Sequence, residues 1–433
     1  MSRRFVFEGA RVVDPAASLD EVRDVAVAGG VIAGAEETDW AQASERIDAR
    51  GLVLSPGLVD LHAHLREPGY EHKETIATGT RAAAVGGYTA VAAMANTDPV
   101  TDNAAIVHLV RGLAAEGSCD VFPVGAVTKG LEGATLAAMG EMVEAGVRIF
   151  SDDGNPVADA RTLRNILVYA KAFGVEVIVA DHAEDASLVE GGHIHEGPVS
   201  DALGLAGRPG EAEEIAVARD IAVARATGGR LHLCHLSTAR AVDIVRWAKA
   251  DGVRVSAEVT PHHLALTDHD VATYDTNRKV YPPLRTADDR EALRAGVADG
   301  TIDVIATDHA PHAVEEREAE FDLSPPGTIG LETALAVALT ELVVPGSVPL
   351  GRVIEAMSTT PARLLGATDH GGPLEPGRPA NLMVFDPEAA WTVEAPFASK
   401  ARNSAFLGCT LRGRVVYTML RGELTVAEGK PTR

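Results

Sequence analysis

The stretch Leu-Val-Asp-Leu-His-Ala-His-Leu at residues 58–65 decides the fold of this chain. It has the length of one β-strand and is mostly apolar without strict alternation, which is typical of a parallel strand buried on both faces. Two histidines, His62 and His64, stand two positions apart near its end. Because side chains two apart on a strand project to the same face, both imidazoles can reach one metal ion. Alone the pair is a weak signal, since ordinary buried or surface histidines also produce it.

Seven further runs of this kind follow, separated by longer segments with helical spacing such as 212–226 and 288–298. The eight runs are residues 58–65, 88–96, 120–128, 147–153, 175–182, 231–237, 253–260 and 303–308. Eight alternating β and α units within about 250 residues predict an α/β fold, a (β/α)8 TIM-like barrel.

The two ends of the chain differ from this middle part. Residues 5–48 carry short alternating strands broken by Gly and Asp-Pro turns, and short strands return at 382–386, 415–420 and 424–426. Neither end alone has enough strands for an independent sheet. We therefore expect both ends to pair into one small β domain beside the barrel. The predicted boundaries are 1–54 and 371–433 for the β domain and 55–370 for the barrel.

The composition argues against several classes of partner. The net charge is −23, from 62 acidic and 39 basic residues, whereas nucleic acids and anionic membranes select basic surfaces. An anionic small substrate stays compatible, because local arginines or a metal override the global field. Three cysteines without short spacing argue against a disulfide framework and fit a reducing cytosol. Since no apolar stretch approaches the roughly 18 residues of a membrane helix, a cytoplasmic location is expected.

Residues that bind metals stand at the carboxyl ends of the runs. They are His62 and His64 (first run), Asp153 (fourth), His182 (fifth), His235 (sixth) and Asp308 (eighth). Barrel enzymes build their active sites at this end of the strands, and histidine and aspartate are ligands that zinc accepts. Six donors exceed the three protein ligands of a mononuclear catalytic zinc. The pattern therefore predicts two Zn²⁺ ions per chain.

A partition of these ligands follows from the two-ion hypothesis. It gives His62, His64 and Asp308 to one ion and His182 and His235 to the other, with Asp153 as the bridge. Ions about 3.5–4 Å apart share a hydroxide whose pKa they lower toward 7, so no serine or cysteine nucleophile is needed. Asp152 is the alternative bridge.

The other histidines are expected to act less directly. His232 is expected in the core or behind a ligand, although either it or Cys234 is an alternative ligand. His262 and His263 either orient a ligand or have a structural role. The remaining histidines are expected at the surface: His72, His108, His193, His195, His269 and His370.

At these residues the sequence resembles the dihydroorotases, in particular the bacterial class with an aspartate rather than a carboxylated lysine as metal bridge. The matching segments are 56–69, 73–76, 96–97, 150–154, 234–238, 257–263 and 306–312. The resemblance spans almost the whole chain. Its most specific parts are His-Ala-His-Leu-Arg-Glu-Pro-Gly and Ala-Thr-Asp-His-Ala-Pro-His.

The resemblance implies the reversible cyclisation of N-carbamoyl-L-aspartate to L-dihydroorotate in pyrimidine synthesis. In hydrolysis, Asp308 would take the proton of the attacking hydroxide and deliver it to the leaving nitrogen. Arg66 would bind the substrate carboxylate in a bidentate manner. The implied substrate-binding residues are His64, Arg66, Asn96, Tyr281, His312, Pro326 and Gly327.

Two positions depart from the family pattern. Tyr281 precedes Pro-Pro-Leu-Arg where the family usually has a substrate-binding asparagine, and Ala95 stands where many relatives have proline. Tyr281 could supply a hydroxyl, but from a different distance.

Two other functions compete with this interpretation. Other cyclic-amide hydrolases, acting on hydantoins, allantoin or dihydropyrimidines, mostly take substrates without a carboxylate, so Arg66 and Asn96 argue against them. The lysines nearest the fourth run, Lys129 and Lys171, are too distant in sequence to favour a carboxylated-lysine bridge. A scaffold that holds aspartate transcarbamoylase could lose metal ligands, whereas all six are present here. The two roles can coexist, and a homo-oligomer is expected. The charged segment 315–318 either closes over the substrate or is a solvated loop, and a solvated loop is expected.

Overall fold

The eight runs form eight parallel strands around a barrel, as predicted. The computed structural model describes residues 4–34, 45–174 and 176–433, so Val175, the first residue of the fifth run, lies outside the described residues. The described strands are β1 (Arg4–Asp14), β2 (Leu19–Ala28), β3 (Val31–Ile32), β4 (Glu45–Asp48), β5 (Val53–Pro56), β6 (Leu58–Ala63), β7 (Tyr88–Ala93), β8 (Asp120–Pro123), β9 (Ile149–Phe150), β10 (Ile178–Asp181), β11 (Ile194–His195), β12 (Gly207–Arg208), β13 (Leu231–Leu233), β14 (Val255–Val259), β15 (Val304–Ile305), β16 (Leu382–Thr392), β17 (Thr410–Leu420), β18 (Glu423–Ala427) and β19 (Lys430–Pro431).

The barrel closes in chain order. Strands β6, β7 and β8 form one parallel sheet, and β9, β10, β13, β14 and β15 form another. A parallel bridge between Gly125 and Phe150 joins the two sheets on one side, and one between Ala63 and His309 joins them on the other. The strands are shorter than the predicted runs because the chain bends at their carboxyl ends. Asp308, for example, has a φ of 45°.

Helices lie between the barrel strands along the chain and in the loops that follow them. They are α1 (Ile76–Val85), α2 (Ala104–Leu113), α3 (Met139–Glu144), α4 (Ala160–Ala170), α5 (Ala186–Val189), α6 (Pro198–Leu203), α7 (Glu211–Thr227), α8 (Ala239–Ala250), α9 (Pro261–Ala265), α10 (Ala287–Asp299), α11 (Val314–Arg317), α12 (Ala334–Ala338), α13 (Leu350–Ile354) and α14 (Thr360–Leu365). The segments predicted at 212–226 and 288–298 are α7 and α10. Thr286 caps α10 by accepting from the amide of Asp289, and Gly300 ends the helix at a φ of 81°. No helix in the described ranges is long and apolar enough to cross a membrane.

Both chain ends contribute to one β sheet, as predicted. Within the described residues this sheet has the order β19-β18-β17-β16-β5-β1-β2-β3, with β4 paired to β1. The ends meet where β5 pairs antiparallel with β16, with Leu54 opposite Val384 and Pro56 opposite Leu382. Because β5 crosses from the sheet toward the first barrel strand, it spans the predicted boundary at residue 54. The domain boundaries themselves stay a prediction.

One connection of the β sheet reaches back over the barrel. Residues 393–409, between β16 and β17, form what we call the strap. Val393, Ala405 and Phe406 of the strap are buried in an apolar cluster with barrel residues that include Val280 and Leu284. Burial of this apolar surface stabilises the strap against the barrel. The β domain is thereby attached to the same side of the barrel as the substrate loops described below.

Candidate active site and metal centre

The predicted site residues meet at one cavity of about 230 Å³. Its lining consists of His64, Arg66, Asn96, Asp153, Gly154, His182, His235, Tyr281, Asp308, Ala310, His312, Pro325, Pro326 and Gly327. His62 lies fully buried beside it. The carboxyl ends of β6, β9, β10, β13 and β15 supply the histidines and aspartates. Residues from distant parts of the chain thus converge because parallel strands present these ends on one rim.

Asp153 lies between two pairs of histidines. Its Oδ2 atom is 3.2 Å from Nε2 of His62 and 3.5 Å from Nε2 of His64. Its Oδ1 atom is 3.2 Å from Nε2 of His235 and 3.6 Å from Nδ1 of His182. Each carboxylate oxygen therefore faces one pair, and Asp153 belongs to two of the three groups among the described residues that could hold a metal ion; the third is His62, Cys234 and Glu258.

The neighbouring carboxylate, Asp152, has other partners. Its Oδ1 atom accepts hydrogen bonds from the amides of Val127 (2.9 Å) and Thr128 (3.1 Å), and its Oδ2 atom accepts one from the Thr128 hydroxyl. These contacts hold the 127–128 turn. They favour Asp153 over Asp152 as the carboxylate available between the histidines.

Asp308 completes the group on the side of the first strand. Its Oδ1 atom is 3.2 Å from Nε2 of His64 and 3.6 Å from Nε2 of His62. Burial raises the pKa of Asp308, but the neighbouring His62 and His64 outweigh it and hold this pKa well below its ordinary value. Its backbone lies in the left-handed region, which non-glycine residues rarely adopt and which is often found at functional sites. Asp308 is therefore an anionic group held at the cavity wall.

Three histidines are each fixed through the ring nitrogen that faces away from Asp153. The partners are Glu258 for His62 (2.7 Å), Asn96 for His64 (2.9 Å) and Glu184 for His182 (2.9 Å). Histidines that bind metals usually donate their second ring nitrogen to a carboxylate or carbonyl in this way. The arrangement leaves one nitrogen of each ring directed at the shared carboxylates.

The charges and unpaired atoms of this cluster fit a metal ion. Burial lowers the pKa of His62, but the carboxylates of Asp153 and Glu258 outweigh it and hold the pKa well above its ordinary value. In the same way, Asp153 and Glu184 raise the pKa of buried His182 to about 10. Among the described residues, Nε2 of His62, the nitrogen that faces Asp153, is buried without a hydrogen-bond partner. Because buried polar atoms rarely stay unpaired, a bound cation suits this cluster.

Arg66 and His312 line the same cavity as the aspartates. Nε of Arg66 donates to the carbonyl of Pro311 at 3.2 Å, and the backbone of Arg66 has a φ of 64°. The guanidinium stays protonated although burial lowers its pKa. Nε2 of His312 lies 2.9 Å from the carbonyl of Pro326. Burial and then the nearby Arg66 lower the pKa of His312 to about 3, so this imidazole is neutral at physiological pH.

Gly327 is required by its conformation and surroundings. Its φ is 136°, and a Cβ atom there would lie 2.8 Å from Cβ of Ala310. Its amide donates to the carbonyl of Lys279 at 2.8 Å, and its carbonyl accepts from Asn403 at 3.1 Å. The amide is thus engaged within the protein, whereas a carbonyl oxygen can accept a second bond.

Tyr281 uses its hydroxyl within the protein. The hydroxyl donates to the carbonyl of Gly192 at 2.8 Å, and the Arg208 guanidinium stacks 3.7 Å from the ring centroid. Arg208 in turn donates to Glu184 at 2.6 Å. The face of the cavity at Tyr281 is therefore formed by its ring, and the hydroxyl is directed at a neighbouring loop.

Relatives were identified by sequence at high coverage. A family model described as dihydro-orotase-like matches residues 51–241. The dihydroorotase of Streptomyces coelicolor is 51% identical over 416 residues, which cover 95% of this chain and 97% of the relative. That of Pelotomaculum thermopropionicum is 49% identical over 426 residues, which cover 98% and 99%. The chain belongs to the dihydroorotase family. It is a cyclic-amide hydrolase that acts on a small molecule, as predicted.

Solved structures agree with the predicted barrel. The L-hydantoinase (dihydropyrimidinase) from Arthrobacter aurescens superposes with a TM-score of 0.88 at 26% identity, covering 100% of this chain and 98% of that chain. The dihydropyrimidinase from Brevibacillus agri gives 0.85 at 25% identity, covering 100% and 96%. The dihydroorotase family therefore shares this barrel and its β domain with hydantoin-type hydrolases.

Several residues of this dihydroorotase-family site were missed at the sequence level. Glu258 holds His62 and also lies 3.0 Å from Nε2 of His232, which therefore stands behind a predicted ligand. Glu184 holds His182. The signals for both carboxylates were weak: Glu258 lies within a matching segment, and Glu184 stands two residues after a predicted ligand. Position near a strand end does not by itself distinguish a carboxylate that supports a ligand from one that caps a helix or faces solvent.

Two expectations about the surface were wrong. His370 is buried between the barrel and the β domain, where its ring nitrogens lie 3.0 Å from Thr89 Oγ1 and 3.0 Å from Asp120 Oδ2. These partners offset the cost of burying the imidazole. In segment 315–318, Arg317 is buried and donates to the carbonyl of Pro325, while Glu316 pairs with Lys73 at 2.7 Å. This segment is partly packed as α11 rather than freely solvated.

Proposed function

We propose that this chain is a dihydroorotase with two zinc ions, which interconverts N-carbamoyl-L-aspartate and L-dihydroorotate in pyrimidine synthesis. One observation carries the proposal: a cationic side chain, Arg66, lines the same small cavity as the cluster of histidines and aspartates. Such a cavity suits a ring that carries both an amide to be hydrolysed and a carboxylate to be recognised. Hydantoins, in contrast, offer no carboxylate to Arg66.

In the proposed arrangement Asp153 would be a ligand of both ions. The remaining ligands are His62, His64 and Asp308 for one ion and His182 and His235 for the other. When bound, the ions would polarise the amide carbonyl and lower the pKa of a water molecule. The fixed second nitrogens of His62, His64 and His182 keep these rings oriented for that role.

Asp308 is the proposed general base and acid. It reaches the cavity with 11% of its side chain exposed, and its Oδ1 atom lies 3.2 Å from Nε2 of His64. An anionic carboxylate at this position accepts a proton from the attacking water and returns it to the ring nitrogen as the amide bond breaks. In the direction of cyclisation the same carboxylate acts in the reverse order.

The proposed substrate contacts are of two kinds: a charged contact from Arg66, and uncharged contacts from the other residues that line the cavity. Arg66 binds the carboxylate through its terminal guanidinium nitrogens, since Nε is engaged with Pro311. Asn96, His64 and His312 surround the same ligand. The remaining contacts come from the ring of Tyr281 and from the backbone at Pro326 and Gly327.

A direct assay tests this function. Purified protein should contain about two zinc ions per chain and should hydrolyse dihydroorotate much faster than hydantoin. Asp308→Asn serves as the inactive reference, because it removes the proton acceptor while keeping the size of the side chain. Turnover of hydantoin alone would contradict the proposal and favour the hydantoinase activity named for the structural neighbours.

Assembly and location belong to the same proposal. A homo-oligomer, a complex with aspartate transcarbamoylase and a cytoplasmic location stay predictions. Sedimentation of the protein alone and mixed with the transcarbamoylase tests the first two. A scaffold without activity is disfavoured by the complete ligand set, and measurable turnover by the isolated chain would exclude it.

A further inference from the structure

Asn403 of the strap joins two loops of the active site. Its side chain is buried, and both ends of its amide are used. Oδ1 accepts from the amide of His312 at 3.1 Å, while Nδ2 donates to the carbonyls of Ala310 at 3.0 Å and Gly327 at 3.1 Å. One side chain thus fixes the spacing between segments 310–312 and 326–328, both of which line the cavity.

The backbone of the strap continues this connection. The carbonyl of Asn403 accepts from the amide of Ile329 at 3.0 Å and from the hydroxyl of Thr328 at 2.9 Å. The same hydroxyl accepts from the amide of Ala405 at 2.8 Å. The strap therefore pairs with the 326–328 segment on both sides of Asn403.

Two carboxylates, the buried Glu74 and the half-buried Glu332, anchor the strap just before Asn403. Glu332 accepts from the amides of Ala398 at 3.0 Å and Ser399 at 3.1 Å. Glu74 accepts from the amide of Lys400 at 3.0 Å and from the hydroxyl of Ser399. These bonds fix the strap to the barrel, so Asn403 is held from a rigid support rather than from a free loop.

The joined loops carry the groups that would meet the substrate carboxylate. Segment 310–312 includes the Pro311 carbonyl that receives Nε of Arg66, and it carries the His312 imidazole. That imidazole reaches across to the carbonyl of Pro326 at 2.9 Å. A shift of segment 310–312 would therefore move the acceptor of Arg66, and a shift of either segment would move one partner of the bond between His312 and Pro326.

We propose that Asn403 is a positioning residue for recognition of the substrate carboxylate. It acts by holding segments 310–312 and 326–328 in register and thereby orienting Arg66 and His312. This role rests on the proposed dihydroorotase function. The site needs an asparagine because one end of its side chain accepts a hydrogen bond and the other donates two. An aspartate has the same shape but would place an acceptor against two carbonyl oxygens.

Steady-state kinetics of Asn403→Asp and Asn403→Ala test the role. We expect the KM for dihydroorotate to rise about ten- to a hundredfold, because buried partners lose their bonds, with a smaller change in kcat and unchanged zinc content. Asp should be at least as damaging as Ala although it fills the same volume. Thr328→Val, which removes the two strap bonds of the Thr328 hydroxyl but leaves the Asn403 side chain in place, should raise KM by only about threefold and stays informative if the other variants misfold.

Asn381→Asp is the matched control. Asn381 is equally buried, donates to the carbonyl of Asp369 at 2.9 Å and accepts from the amide of Arg421 at 2.7 Å. It lies at the start of β16 and is absent from the cavity lining. The same substitution there should lower thermal stability and leave KM unchanged.

Hydrogen exchange measured without substrate gives a readout independent of turnover. Amides in 310–312 and 326–329 should exchange faster in the Asn403 variants than in wild type or in Asn381→Asp. If wild-type protein does not turn over dihydroorotate, the proposed function is wrong. If it does, and the Asn403 variants keep the wild-type KM or share their KM change with Asn381→Asp, the positioning role is wrong.

Discussion

The cavity is held from two sides by contacts of different character. On one side, the carboxylate wall consists of segments 310–312 and 326–328. Asn403 holds these segments through neutral hydrogen bonds to backbone groups. The Pro311 carbonyl of this wall accepts a hydrogen bond from Nε of Arg66. The wall therefore supports the part of the site that would recognise the substrate carboxylate.

The second support, the tyrosine wall, consists of Tyr281, which lines the cavity, together with Arg208 and Glu184, which line a neighbouring cavity. Here a ring stacks on a guanidinium, the guanidinium pairs with a carboxylate, and the carboxylate holds His182. Burial raises the pKa of Glu184, but its bond to His182 and the charge of Arg208 outweigh this and hold the pKa well below its ordinary value. This wall contains charged groups, and its carboxylate contacts the predicted metal ligand His182.

The difference between the walls indicates that separate groups of residues support substrate recognition and metal retention. Damage to the carboxylate wall should appear in KM at constant zinc content. Damage to the tyrosine wall should appear in zinc affinity, with near-normal kinetics once zinc is saturating. Substitutions of single residues can test this distinction.

The largest effect is expected at Asp153, which lies between the two pairs of histidines. Asp153→Asn removes a negative charge shared by four histidines. Turnover of dihydroorotate should fall about a thousandfold or more, because stabilisation by the ions contributes several kcal/mol. Zinc content should drop as well, which elemental analysis measures. Asp152→Asn is the control, and loss of zinc there with retention in Asp153→Asn would reassign the bridge.

The next effect concerns Arg66 on the side of the carboxylate wall. Arg66→Ala should lower kcat/KM for dihydroorotate about a hundredfold, because charge-assisted bonds to a carboxylate are lost. Zinc content should stay at the wild-type value. Arg66→Lys keeps the charge but not the planar fork and should recover only part of the loss. Loss of zinc in either variant would contradict the separation of the two supports.

The predicted ligands show which part of this site sequence reasoning reaches. His62, Asp153 and Asp308 were predicted because a (β/α)8 pattern places strand ends on one rim, whatever the details of packing. The fold was predicted for the same reason, including the pairing of both chain ends in one sheet. Local spacing and topology together are sufficient for these features.

The supports behind the ligands were not predicted, for a physical reason. Asn403 lies in a connection between two strands of the β domain, and its contacts depend on how the strap packs across the barrel. Glu184 holds His182 directly, but its second partner, Arg208, is distant from it in the chain. His370 is buried at a domain junction that no local pattern marks. Such contacts depend on tertiary packing rather than on spacing along one element.

A smaller effect is expected on the tyrosine wall at Glu184. Glu184→Gln removes the charge that holds both His182 and Arg208, and it should weaken zinc binding about ten- to a hundredfold. Competition with a chelator measures this change. At saturating zinc the KM for dihydroorotate should stay within about threefold of wild type. Glu190→Gln, an exposed carboxylate on the following segment, is the control. A large change in KM with unchanged zinc affinity would contradict the comparison.

The smallest effect is expected at Tyr281, where this chain departs from its family. Tyr281→Phe keeps the ring on Arg208 and loses only the bond to the Gly192 carbonyl, so stability should fall by about 1 kcal/mol, seen as a slightly lower thermal midpoint. Tyr281→Asn restores the usual family residue but removes the stack, so zinc affinity should fall further than in Tyr281→Phe. If Tyr281→Phe instead raised the KM for dihydroorotate tenfold, the hydroxyl would contact the substrate during turnover, and the tyrosine wall would serve recognition as well as metal retention.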